Sequence, residues 1–348
     1  MITRHLCILT SGMLCAAVCV SAVGQNVPVN RSQEPVPNIP FPDAVTEGVN
    51  SAMQAMLKNG LGVDTNKARR AAIQAVVTTV DPLAWLISAD EAMTIVEEGD
   101  AASQGIKQKS IALIEKWPGE ICYAKFSGLY RGTALETVEA LYGATNGSIT
   151  GMILDLRGAE GKGLDCVESL ASLFIGDNRE IFSIRNWNGS ELNRHRSGEC
   201  RRLGIPVVFL IDENTAGASE LLAAIVKGGF EVLLLGRPTR GDSLIREKIV
   251  LPGGEVLYIG TKRMMPLLGE DFSSCGVKPD IIVQAAKPGV TIKGTNQPPI
   301  AIIEQANKTD ESGGRDALVE RAKGDPILLR ALDILMGLRT LDTRALRL

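Results

Sequence analysis

The chain has 348 residues, 45% hydrophobic and 22% charged, with a formal net charge of −3. That is enough apolar sequence for one large domain or two smaller ones, and no basic stripe or acidic tail points to nucleic acid or an anionic membrane as partner. Only two histidines occur, His5 and His195, and the first lies in a predicted leader, so a mature protein with one histidine cannot build a multi-histidine metal site.

Residues 1–24 read MITRHLCILTSGMLCAAVCVSAVG. Arg4, an apolar run from Leu6 to Val20 and the small-residue end Ala22-Val23-Gly24 predict a secretory signal peptide cut near Gly24. The product is then exported, to a periplasmic or extracellular space, with no membrane attachment after cleavage. Val18 and Leu14 are too large for the position preceding a lipoprotein cysteine, which argues against Cys19 or Cys15 as anchor. Removing the leader leaves Cys122, Cys166, Cys200 and Cys275, either as two disulfides or as buried free thiols. Their wide spacing excludes a CxxC redox or zinc motif.

Residues 25–43 are rich in proline and predict a tether without a fold of its own. From 44 to 109 the pattern is helical: VTEGVNSAMQAMLK and NKARRAAIQAVVTTV place apolar residues three and four apart. DPLAWLISADEAM then predicts a turn at Asp81-Pro82 and a helix capped by Ser88, with Glu91 at the capping-box position.

From 110 to 285 strands and helices alternate. ICYAKFSGL, ITGMILDLRG, PVVFLID and EVLLLG read as strands; TALETVEALYG, LDCVESLASLFIG and ASELLAAIVKGG read as helices. That order predicts an α/β layer with largely parallel central strands and ligand-facing loops at 156–164, 212–219 and 236–243. NRHRSGE, around His195, reads as an exposed loop rather than the setting of a catalytic base. A hairpin over 247–265 pivots on Pro252-Gly253-Gly254, and GVKPDIIV reads as a last strand. Residues 286–324 form a polar loop, and 325–348 a closing helix. No phosphate-binding or metal signature appears, so no cofactor is expected.

Five segments in order, DPLAWLISADEAM, ILDLRGAEGKGLD, FLIDENTAGASELLAAIVKGG, LLLGRPTRGDS and GVKPDIIV, resemble the landmarks of the C-terminal processing peptidases, the tail-specific serine proteases of peptidase family S41. Those landmarks look like DPHSxYLxPEE, LDLRGNPGGLL, VNxxSASASEI, VGExTFGKG and GIxPDI. The resemblance covers residues 44–338 and implies an α/β, ClpP/crotonase-like protease core behind a small N-terminal helical segment. It also implies a serine at a helix start, activated by a lysine in a loop downstream, with backbone N–H groups as oxyanion donors.

Carried over residue by residue, SASASE falls on Thr215-Ala216-Gly217-Ala218-Ser219-Glu220, so the nucleophile position is Gly217. TFGKG falls on Thr239-Arg240-Gly241-Asp242-Ser243, so the lysine position is Asp242. The NPGG glycine pair falls on Gly161 and Lys162, leaving Gly161 and Ala218 as oxyanion-hole candidates beside the retained Ser219 and Glu220. With neither dyad member present, the resemblance implies a pseudoprotease that binds a peptide or partner protein without cutting it. If Glu220 and Asp242 share the pocket, one carboxyl should rise in pKa.

Two other readings stand beside this one: a peptidase rebuilt on Ser219 or Ser243, with Lys162 as a conceivable base, and a non-proteolytic crotonase-like enzyme using Glu220 or Asp242. The family usually carries a PDZ domain before the first core strand; only about twenty residues separate Glu98 from Ile121, too few for one. Arg240-Gly241-Asp242 carries no adhesion reading, since the resemblance already accounts for the loop. Asn146-Gly147-Ser148 and Asn188-Gly189-Ser190 are glycosylation acceptors only in a eukaryotic secretory route. Trp85, Trp117 and Trp187 read as core or interface residues.

Overall fold

The computed structural model describes residues 43–62, 64–94, 108–117, 119–145, 149–227, 232–283 and 321–345. The signal peptide, the tether before residue 43, the Asn146 triplet and most of the 286–324 loop lie outside them. In chain order the first elements are α1 (Asp43–Lys58), α2 (Thr65–Thr78), β1 (Trp85–Ile87) and α3 (Ala89–Thr94). Then come β2 (Ile111–Trp117), β3 (Ile121–Phe126), β4 (Gly128–Leu129), α4 (Ala134–Ala144), β5 (Gly151–Asp155), β6 (Glu160–Gly161) and α5 (Leu164–Ile175). They are followed by β7 (Glu180–Asn186), β8 (Glu191–Arg196), β9 (Val207–Ile211), α6 (Ala218–Lys227) and β10 (Val232–Gly236). The last are β11 (Leu244–Val250), β12 (Val256–Pro266), β13 (Ile281–Ile282) and α7 (Pro326–Ala345).

Two compact units result. Among the described residues the larger takes in 108–244 and 262–345, and the smaller 43–94 and 245–261. Most of the 247–265 hairpin therefore groups with the N-terminal helices rather than with the core that its sequence position suggests.

In the smaller unit, Asp64 caps α2 by accepting the Asn66 and Lys67 N–H groups at 3.0 and 3.1 Å. The capping box forms as its spacing predicts: Glu91 N–H donates to Ser88 Oγ at 3.2 Å, and Ser88 N–H donates to Glu91 Oε2 at 2.7 Å. Between turn and helix the chain adds β1, three residues too short to register in the sequence pattern, paired antiparallel with β12 and stacking Trp85 on Tyr258. Asp81 is fully buried. Its carboxylate takes the Arg246 guanidinium at 2.8 and 2.9 Å and the Gly260 N–H at 2.9 Å, which binds the Asp-Pro turn to β11 and β12.

The larger unit is built on a six-stranded sheet in the order β13-β10-β9-β5-β3-β2, all parallel except the β2–β3 pair. Both faces of its central strands are covered, so these strands are apolar throughout instead of alternating. Side chains on successive residues still go to opposite faces. Ile121, Tyr123, Ile153, Val208, Leu210 and Leu235 meet Leu328, Ala331, Leu332 and Leu335 of α7. On the opposite face Phe209 meets Phe174 of α5 edge-on at 5.2 Å. The expected strand GVKPDIIV pairs only at Ile281–Ile282. Pro279 has no N–H to give, and the Asp280 carboxylate substitutes for a ladder acceptor by taking the Leu234 N–H at 2.8 Å.

NRHRSGE is not a loop. Its first half lies in β8, which pairs antiparallel with β7. His195 is half-buried, stacked on Phe182 at 4.3 Å, with Nδ1 2.6 Å from Glu168 Oε1. Cys122, Cys166, Cys200 and Cys275 form no disulfide among the described residues; the first three are buried and Cys275 is exposed. Of the tryptophans, Trp117 is core, whereas Trp85 and Trp187 are exposed.

Candidate active site

The carboxyl ends of β5, β9 and β10 converge on one turn, residues 212–217, which feeds α6. Short polar side chains shape it. Asp212 Oδ1 accepts the N–H groups of Gly158 and Asn214 at 3.0 and 3.1 Å, tying the turn to the loop after β5. Thr215 Oγ donates to Leu156 O at 2.8 Å and accepts the Asp212 N–H at 3.1 Å. Gly217 closes the turn at φ +61°, the left-handed region that costs a side-chain-bearing residue about 1–2 kcal/mol.

The loop of residues 159–161 lies against this turn and presents three successive carbonyl oxygens to it. Ala159 O accepts the Ala216 N–H at 3.1 Å, and Glu160 O accepts Ser219 Oγ at 3.0 Å. Gly161 O sits 2.6 Å from where a Cβ on Gly217 would lie. Gly161 is itself held in place by backbone: at φ +136°, an added Cβ would come within 2.1 Å of Leu129 O. The group that Gly161 turns toward Gly217 is thus an acceptor, where an oxyanion would need donors. Lys162 is exposed.

The loop after β10 joins from the other side. Arg240 N–H donates to Thr215 O at 3.1 Å, and the Arg240 guanidinium pairs with Glu160 Oε1 at 2.6 Å. Glu220, with none of its surface exposed, receives the Thr239 hydroxyl, the Gly241 N–H at 2.6 Å and the Asp242 N–H at 2.9 Å. The structure therefore brings positions 215–220 and 239–242 together. Burial pushes the Glu220 carboxyl above its ordinary value, Thr239, Gly241 and Asp242 pull back through their hydrogen bonds, and the Asp242 charge adds to the rise. Burial is the largest cause of the rise and the Asp242 charge the smallest. Ser219 is fully buried and spends its hydroxyl on Glu160 O. Ser243 meets another serine, Ser273 Oγ, at 2.8 Å, and Ser273 donates to Asp271 Oδ1 at 2.6 Å. Sequence reasoning missed the Arg240–Glu160 pair and the Thr239 contact; the spacing of the motif carries no trace of either.

Surface depressions elsewhere among the described residues include two larger ones. One of about 560 Å³ is lined by Asp64, Arg70, Gln74 and Leu86 in the smaller unit, and one of about 200 Å³ by β2 and α4.

A mainly parallel sheet covered by helices on both faces, with a strand-turn-helix at its carboxyl ends, makes the larger unit an α/β fold. The sequence profile of peptidase family S41 matches residues 119–283, and over that span the chain resembles the family. It is similar to the carboxy-terminal processing protease CtpA of Bacillus subtilis, with 28% identity over 163 residues, 47% of this chain and 34% of that protein. It is also similar to the carboxyl-terminal-processing protease of a Synechocystis strain, with 26% identity over 168 residues, 48% of this chain and 39% of that protein. The aligned region thus spans little more than a third of these curated relatives. A peptidase-like protein of Parabacteroides merdae shares the fold, with a TM-score of 0.51 at 15% identity, over 70% of this chain and 82% of that one.

Proposed function

We propose that this chain is an exported, catalytically inactive member of the family that holds an extended peptide or partner protein near the 215–220 turn without cutting it. The observation that carries the reading is Gly217, at the position where the resemblance puts the nucleophile. It offers no hydroxyl, its backbone is left-handed, and a carbonyl oxygen occupies the approach of any Cβ. Asp242 supports it independently, because a carboxylate at the lysine position cannot be the deprotonated amine that a serine needs. Glu220, saturated by three donors, is spent on holding the loop.

A rebuilt peptidase needs a base beside Ser219 or Ser243. Their hydroxyls meet a backbone carbonyl and a second serine, and neither takes up a proton at neutral pH. The decisive experiment treats the purified protein with a fluorophosphonate probe and with an unfolded protein substrate. No serine should be labelled and no fragments released; labelling that active-site variants abolish would overturn the reading. Export rests on residues 1–24 and is checked by N-terminal sequencing of the mature protein, which should begin near residue 25. A retained Met1 in the fractionated product would count against it.

A further inference from the structure

The β7–β8 hairpin belongs to no part of the candidate site, yet its chemistry is unusual for this chain. Strands β7 and β8, with residues 262–266 of β12, carry Arg185, Arg194, Arg196, Lys262 and Arg263 against only Glu180 and Glu191. That is a local surplus of three positive charges in a protein whose net charge is −3.

Register places Arg194 opposite Ser183, and Arg185 opposite Arg263, so three strands deliver arginines to one face. The two carboxylates there are shared. Glu180 takes Arg194 at 2.8 Å and Arg196 at 2.9 Å, while Glu191 takes Arg194 at 2.5 Å and Arg185 at 3.5 Å. Arg263 instead lies over the ring of Trp187, 5.3 Å from its centroid, and Trp187 is 49% exposed. Exposed ion pairs of this kind contribute little, so incoming carboxylates exchange for them at little cost.

Among the described residues β8 pairs only with β7, and Glu191, Leu192, Asn193, Arg194 and Arg196 are exposed. An open edge presents backbone N–H and C=O groups to any extended chain. His195 of β8 stacks on Phe182 of β7 and meets Glu168 of α5, which ties the edge strand to the body of the larger unit.

We infer that the β8 edge and its arginine face form a docking surface for an extended, acidic protein segment that pairs along β8 with carboxylates on alternate residues. Alternate side chains of a strand share one face, so such a segment matches the ladder and the arginines together. A nucleic acid or sulfated glycan satisfies the charges but not the backbone edge, and this favours a peptide. The inference does not depend on whether the 215–220 turn cleaves anything.

The test uses the full chain and a fluorescent peptide of about nine residues alternating glutamate and threonine. Its affinity should exceed that of the lysine–threonine counterpart by at least about tenfold and fall as salt rises. N-methylation of alternate backbone amides should weaken it by about fivefold or more, since it removes ladder donors. The double variant Arg194→Gln, Arg196→Gln should lose about tenfold, while Arg194→Lys, Arg196→Lys keeps most binding, with melting temperatures verifying that both fold. Equal binding of the two peptides, indifference to N-methylation, or tighter binding of an equally charged DNA strand or heparin fragment each overturns the inference.

Discussion

Restoring a hydroxyl at position 217 meets two obstacles. A serine there must hold φ near +61°, and its Cβ must displace Gly161 O from 2.6 Å. Gly161 has little freedom to retreat, since Leu129 O stands 2.1 Å from where its own Cβ would lie. Gly217→Ser is therefore expected to lose about 1–3 kcal/mol of stability and to remain unlabelled by fluorophosphonate, even when combined with Asp242→Lys. Thermal melts and mass spectrometry of the probe adduct measure both; a labelled Ser at 217 in the double variant would show that the loop yields. The identity of residue 217 was readable from its place in a strand-turn-helix sequence. The direction of the Gly161 peptide was not, because a four-residue motif specifies which residues approach a turn and leaves open whether N–H or C=O faces it.

At the scale of elements, long apolar strands and helices were legible from period alone, whereas β2, β7 and β8 were not. β8 is nearly all exposed, so the alternation that marks a half-buried strand is missing, and Arg194-His195-Arg196 looks like solvated loop. Asp81 shows how a single residue joins elements distant in sequence. Burial alone would raise its pKa, but the Arg246 guanidinium and the Gly260 and Leu83 N–H groups hold the carboxyl below its ordinary value. A carboxyl depressed in the folded state contributes stability above its unfolded pKa and loses it as pH falls through the folded one. Asp81→Asn should thus cost the smaller unit about 3 kcal/mol near neutrality by removing the buried charge that meets the Arg246 guanidinium and the Gly260 N–H, and should flatten the acid dependence. Hydrogen exchange in residues 245–261 reports the loss; unchanged protection there would show that the turn is held by other contacts.

Across the whole molecule, burial sets how the thiols behave. It pushes Cys122 and Cys166 up to about 11. Thiols raised in this way contribute stability that is fully present below their unfolded value and lost as pH climbs toward the folded one. The melting temperature should accordingly drop between about pH 9 and 11, and less steeply in Cys122→Ala. In the native protein at pH 8, an aromatic disulfide reagent should consume Cys275 quickly and the three buried thiols only after denaturation; rapid release of more than one equivalent would contradict the buried assignment. The helix α7 has a different consequence, one of timing. It supplies Leu328, Ala331, Leu332 and Leu335 to cover one face of the central sheet, and Arg157 fastens its start through Asp325 at 2.7 Å. The strands it covers end at residue 282, some forty residues before the helix begins. During synthesis, then, a broad oily surface waits for a lid that leaves the ribosome some forty residues later, and ribosome-bound chains halted before residue 326 should recruit chaperones where chains that carry the helix do not.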